Sequence, residues 1–255
     1  MGYKILIGSM QFSPIYKSHC CALGKQCESM GHEVRYIFSN EYNWMLPDEI
    51  KSKTEFIGSS KDLSTAITDG LNFQIIFKLK NIVSNYKPNY VYMYNIQPFL
   101  NYYLALLSKR YGTKYIQHIH EPYVEDKKLF GGFKQYWLLF FELFQEKLLE
   151  QADLVIVSSK RALHLFNIRY KSLNKKCLII PLIYEDLGTN IYENIKREYI
   201  TFIGPPVPSK SPETFLRIID YSNDNQLGFK FLLISREPIT DLAYLKDSLE
   251  IFSRN

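Results

Sequence analysis

Most of the features by which a sequence declares its chemistry are missing from these 255 residues. Cysteine is scarce: Cys20, Cys21, Cys27 and Cys177 contain no C-x-x-C and no paired spacing. That excludes a disulfide framework or a zinc site and points to reduced thiols in a cytoplasmic protein. No apolar run approaches the roughly 20 residues of a membrane span; even Tyr136 to Phe141 stops at Glu142. The amino terminus runs straight into the strand-like Ile5-Leu6-Ile7, with no secretory leader pattern. There is no G-x-G-x-x-G, no G-x-x-x-x-G-K-[ST], no G-x-S-x-G elbow and no H-E-x-x-H. No two aspartates stand two apart, so a D-x-D that would hold a metal on a nucleotide sugar is absent, and neither metal nor cofactor is expected. A dominant charge is missing as well: 31 Lys+Arg against 26 Asp+Glu leaves +5, scattered along the chain. Scattered charge argues against a nucleic-acid partner.

What is present is a core and a rhythm. Apolar residues make up 46% of the chain, which excludes a disordered tail. Short unbroken apolar runs alternate with longer helical patterns. Strands are expected at Tyr3–Gly8, Val34–Phe38, Thr54–Ile57, Tyr90–Tyr94, Lys114–His120, Leu154–Val157 and Cys177–Pro181. Helices are expected at Pro14–Met30, Asp69–Asn85, from Pro98 to near Gly112, Phe133–Glu150 and Lys160–Phe166. Gly31 follows the first helix where a positive φ is cheap. Leu71, Ile75, Leu79 and Ile82 supply the apolar stripe of the second. This alternation predicts an α/β fold, a doubly wound parallel sheet covered on both faces.

The chain turns polar and aperiodic at 187–198, which reads as a linker after a first domain of residues 1–186. The same alphabet then restarts over 199–255, with strands at Ile200–Gly204 and Phe229–Ser235 and helices from Ser211 to about Ser222 and from Asp241 to Phe252. Two parallel strands leave exposed edges, so this second domain is expected to be incomplete.

In an open α/β sheet, ligands bind at the carboxyl ends of the strands. That rule nominates the loops Gly8–Lys17, Asn95–Pro98, His120–Asp126 and Ser158–Lys160. His120, at a strand end and followed by Glu121-Pro122, is the leading candidate for a functional imidazole. His118 lies on the same face, deeper in the sheet, and reads as a hydrogen-bonded core histidine.

Several segments, in order, resemble the GT-B glycosyltransferases of the family 4 type. Gly31-His32-Glu33-Val34 looks like the family's turn before the second strand. Lys87-Pro88-Asn89-Tyr90-Val91-Tyr92 is similar to its approach to the fourth, and His120-Glu121-Pro122 to its strand-end histidine. Ala152-Asp153-Leu154-Val155-Ile156-Val157-Ser158, Ile179-Ile180-Pro181 and the loop Gly204 to Lys210 follow in the family's sequence. The resemblance implies a Rossmann-like acceptor-side domain followed by a nucleotide-sugar donor domain. The reaction would be a metal-independent transfer of a sugar to a saccharide or lipid-linked acceptor, in cell-surface polysaccharide assembly. Carried over by position, His120 would orient the transferred sugar. Lys210, Gly204, Gly8 and Ser9 would meet the donor, and Gln11, Asn95 and Glu121 the acceptor. The chain departs from the pattern where Pro205 replaces an arginine and where Pro181-Leu182-Ile183 lacks Asn-Gly. The donor-binding E-x7-E segment of the family is expected beyond residue 255. An acceptor-binding subunit of a split transferase and a sugar-nucleotide epimerase of the same architecture are the alternatives. The aromatic helix around Tyr136–Phe141 reads as a cover for the sheet. Its alternative, with Lys127, Lys128, Lys134 and Lys147 nearby, is peripheral contact with the inner face of the plasma membrane.

Overall fold

A computed structural model describes residues 2–10, 14–40, 46–58, 68–120, 133–171, 173, 177–183, 199–203 and 212–234. The chain forms two compact units, Met1–Asp186 and Leu187–Asn255.

In the first unit seven strands make one sheet: β1 (Lys4–Ser9), β2 (Glu33–Phe38), β3 (Thr54–Phe56), β4 (Tyr90–Tyr94), β5 (Lys114–Ile119), β6 (Leu154–Val157) and β7 (Cys177–Ile179). Their spatial order is β3-β2-β1-β4-β5-β6-β7, and every pair is parallel. The order reverses between β1 and β4, the switch point at which a doubly wound sheet opens a crevice. The connecting helices are α1 (Pro14–Ser29), α2 (Asp48–Lys51), α3 (Phe73–Tyr86), α4 (Pro98–Arg110), α5 (Phe133–Gln151) and α6 (Lys160–Arg169).

Period-two alternation along the strands divides the core into two layers. Leu6, Val91, Met93, Tyr115, Ile119, Val155 and Val157 pack on one face with Leu79, Val83, Leu100 and Leu104. Ile7, Tyr36, Phe38, Tyr92, Tyr94 and Ile156 pack on the other with Cys20 and Ile50. Both faces are apolar, which is why the strands read as continuous hydrophobic runs.

Local chemistry sets the ends. Gly31 takes φ +83° just past α1 and closes it. Gln97 caps α4, its side chain accepting the Leu100 N–H, with Pro98 in the first turn. Ser159 caps α6 by accepting the Ala162 N–H at 3.0 Å.

Two helices differ from the sequence expectation. Residues 68–71 are helical, but the helix expected over Asp69–Asn85 is interrupted at Asn72, whose carboxamide accepts the Gln74 N–H and caps α3 at Phe73. The stripe therefore shifts to Leu79, Val83 and Tyr86, while Leu71 is 64% exposed. The short α2 has no counterpart among the expected helices, since four residues carry no helical period.

The second unit, described by itself, pairs β8 (Tyr199–Ile203) with β9 (Lys230–Ile234) in parallel. The helix α7 (Pro212–Asp224) covers them, with Phe215, Leu216 and Ile219 against Ile200 and Phe231. The linker expected at 187–198 and the helix expected at Asp241–Phe252 lie outside the described residues.

Candidate functional site

The carboxyl ends of β1, β4, β5 and β6 carry Ser9, Asn95, His120 and Ser158; Ser9 and Asn95 are buried, His120 and Ser158 half-buried. What lies beneath this rim is a polar column on one face of the sheet. The hydroxyl of Tyr92 stands 2.5 Å from Nδ1 of His118 and 2.9 Å from Nε2 of His19. His118 Nε2 in turn lies 3.2 Å from Ser158 Oγ, and the same oxygen lies 3.3 Å from His120 Nδ1. At the far end, the Ile183 N–H donates to His19 Nδ1 at 3.0 Å. Tyr94 packs its ring edge-on to His118, with centroids 4.9 Å apart.

The sheet register explains the alignment. Tyr94 pairs with His118 and His118 with Ile156, so alternation sends Tyr92, Tyr94 and His118 to the same face. His120 and Ser158 continue that parity beyond the ends of β5 and β6. His19 enters from α1, packed on this face beside Cys20.

Burial governs protonation here. Loss of water pulls the His118 imidazole down to about 3, the charges of His19 and His120 acting in the same direction. Burial likewise lowers His19, with the charge of His120 acting the same way and the Ile183 carbonyl, 3.3 Å from Nδ1, acting against them. The Tyr92 phenol is pushed well above its ordinary value by burial and stays protonated. Among the described residues no three histidine, cysteine or carboxylate side chains are placed to hold a metal ion; Tyr92 and Ser158 stand between these imidazoles.

The opposite face holds a second buried network that shapes the rim. Asn95 takes φ +61°, and its N–H donates to the His118 carbonyl at 2.8 Å. Gln117 Nε2 donates to the carbonyls of Met93, Asn95 and His118, and its Oε1 accepts from Tyr115 Oη and Asn101 Nδ2. Asn101 Nδ2 also donates to Asn95 O at 3.0 Å. The turn after β4 is thus held from beneath.

Of the residues named from sequence, Gly8, Ser9, Asn95 and His120 fall on this rim. Gln11, Glu121, Gly204 and Lys210 lie outside the described residues. Gly8 has an immediate packing reason: a Cβ there would fall 2.0 Å from the Ile37 carbonyl oxygen. Ser9 is fully buried, and among the described residues its hydroxyl has no hydrogen-bond partner at the switch point. His19 and Tyr92 are additions that only the structure makes. His19 sits inside a helix and Tyr92 inside an apolar strand, where neither spacing nor flanking residues mark it. A surface depression of about 470 Å³ bordered by Tyr3, Lys87, Tyr90 and Lys114 lies at the amino ends of the strands, away from this rim.

The family model described as Glycosyltransferase Family 4 matches residues 17–182, most of the first unit. No curated protein matches the chain. Among solved structures, MurG of Acinetobacter baumannii is similar at 12% identity and TM-score 0.54, over 99% of this chain and 63% of its own. UGT89C1 of Arabidopsis thaliana, complexed with UDP-L-rhamnose, is similar at 11% identity and TM-score 0.57, over 95% of this chain and 71% of its own. A putative UDP-N-acetylglucosamine 2-epimerase of Listeria monocytogenes is similar at 11% identity and TM-score 0.58, over 100% of this chain and 67% of its own. The chain therefore spans less than two thirds of the MurG chain. At these identities the likeness is one of fold.

Proposed function

This chain belongs to Glycosyltransferase Family 4, and on that premise we propose that it transfers a sugar from a nucleotide-sugar donor to the hydroxyl of a saccharide or glycolipid acceptor. The observation that carries this reading is the half-buried His120 at the end of β5, held by Ser158 at the carboxyl edge of the sheet. Such an imidazole can hold one oxygen of a bound sugar in a set position, which lowers the entropy cost of reaction. The Ser9 hydroxyl at the switch point, without a hydrogen-bond partner among the described residues, is a second contact available to the donor. Gly8 lets β1 and β2 approach closely beside it.

In this reading the bond from the sugar to the distal phosphate breaks, and the nucleoside diphosphate leaves with the electron pair. The acceptor oxygen forms the new bond, and its proton passes to the departing phosphate. Lys210 and Gly204 would stabilise charge developing on the pyrophosphate, and electrostatic help of that kind is a large share of most barrier reductions. Gln11, Asn95 and Glu121 would line the acceptor side. Cell-surface polysaccharide is the proposed product class. Among the described residues no helix is long and apolar enough to cross a membrane, and a lipid-linked acceptor would be met at a bilayer surface through α5.

The test is calorimetric titration with UDP- and GDP-sugars, followed by an assay of nucleotide release with and without saccharide acceptors. Binding together with acceptor-dependent release supports transfer. Epimerised sugar as product, with no need for acceptor, would replace this reading with an epimerase. Absence of any nucleotide binding would leave an acceptor-binding subunit.

A further inference from the structure

The polar column has two self-consistent arrangements of its protons, and they give His120 opposite chemistry. Each linking group has one proton to give and one acceptor position facing the next. If His19 carries its proton on Nε2, it donates to Tyr92, Tyr92 donates to His118 Nδ1, and His118 donates from Nε2 to Ser158. Ser158 then donates to His120 Nδ1, which leaves the His120 proton on Nε2. If His19 carries its proton on Nδ1, every link reverses, and His120 ends with a bare Nε2 lone pair, the form of a general base.

The choice is made at the far end of the column. His19 Nδ1 faces both the N–H and the carbonyl of Ile183, at 3.0 and 3.3 Å. An amide N–H can only donate, and it is the nearer group, so in the neutral ring Nδ1 accepts from it. The carbonyl at 3.3 Å, the contact that raises His19, would be met only by an Nδ1–H, as in the charged ring that burial disfavours. We propose that the Ile183 N–H sets the direction of a hydrogen-bonded chain through His19, Tyr92, His118 and Ser158, so that His120 presents an Nε2–H donor rather than a lone pair at the rim of the site. Its use toward a sugar or phosphate oxygen rests on the transferase reading; the direction of the chain does not. The four intermediate residues are positioning residues and act through His120. Their burial favours the neutral imidazoles and intact phenol that the chain requires.

The test uses the full chain, labelled with ¹⁵N-histidine, without donor or acceptor. The sequence holds five histidines, and each resonance is assigned by its loss in a single His→Gln variant. Long-range proton–nitrogen correlations report directly which ring nitrogen bears hydrogen. The expected result is Nε2–H with bare Nδ1 at His19, His118 and His120. Ser158→Ala should move the His120 nitrogens from that pattern to an average of the two tautomers, and Ser158→Thr, which restores the hydroxyl, should return them. Tyr92→Phe should produce the same averaging at His118 and His120 while His19 keeps its tautomer. Protons on Nδ1 of His118 and His120 would overturn the proposal. So would a His120 pattern that ignores Ser158→Ala. Because no substrate is present, these outcomes stand apart from any failure to find transferase activity.

Discussion

Gly24 of α1 presses a bare Cα against the phenol of Tyr36 on β2: a Cβ at residue 24 would fall 2.1 Å from the Tyr36 hydroxyl oxygen and 2.6 Å from its ring. The contact sets how closely α1, and with it His19, can lie on the sheet. Tyr36 is fully buried, and among the described residues its hydroxyl has no hydrogen-bond partner. Gly24→Ala should therefore destabilise the first unit by about 1–3 kcal/mol, as overpacking does. Tyr36→Phe removes a buried, unsatisfied hydroxyl and should be neutral or stabilising by about 1 kcal/mol. The two changes should couple: Gly24→Ala should cost less when combined with Tyr36→Phe, as urea denaturation in a double-mutant cycle would measure.

Acid should loosen the first unit through His118. Its folded pKa of about 3 lies below the ordinary 6.5, so between those values the unfolded chain takes up a proton that the folded chain refuses. The contribution of His118 is complete above pH 6.5 and is lost as the pH drops toward 3, by up to about 1.4 kcal/mol per pH unit for one such group. His19 acts in the same direction. His118→Asn should flatten the pH dependence of the urea midpoint between pH 6.5 and 4; an unchanged slope would assign acid sensitivity elsewhere.

At the rim, His120→Ala should lower turnover with a nucleotide-sugar by about tenfold, the value of one neutral hydrogen bond near 1.4 kcal/mol. His120→Gln keeps an N–H donor and should retain more of the activity than the alanine variant. Equal loss in both would argue against a donor role.

Gln117→Leu tests the scaffold under the rim. The carboxamide donates to three backbone carbonyls and accepts from Tyr115 and Asn101. Its loss leaves buried groups unsatisfied and should cost about 2–3 kcal/mol, read as a lower thermal midpoint. Slower amide exchange at Asn95 in the wild type than in the variant would place the effect at the turn after β4.

Periodicity and strand composition make much of this molecule legible. β4 and β6 fall at their expected residues, because unbroken apolar runs between turn signals leave few alternatives. Asp153 illustrates a motif whose meaning needs coordinates: its carboxylate accepts from the Tyr115 N–H and from Lys114 Nζ, both at 2.9 Å, and so ties β5 to the start of β6. The helix expected from Asp69 departs from expectation by a break at Asn72, because the Asn72 carboxamide caps a new helix at Phe73 and Leu71 is left exposed.

His120 is legible in the sequence because a strand end followed by Glu-Pro is a local feature. Its partners are not. His19 meets Ile183 across 164 residues of sequence, Tyr92 meets His118 across 26 and His118 meets Ser158 across 40. The amino-acid order by itself determined the α/β class, the parallel strands and the strand-end histidine, since these follow from local patterns of burial. Only the tertiary structure decided which groups face that histidine, because its hydrogen-bonded contacts pass through space along residues that share a sheet face but no sequence neighbourhood.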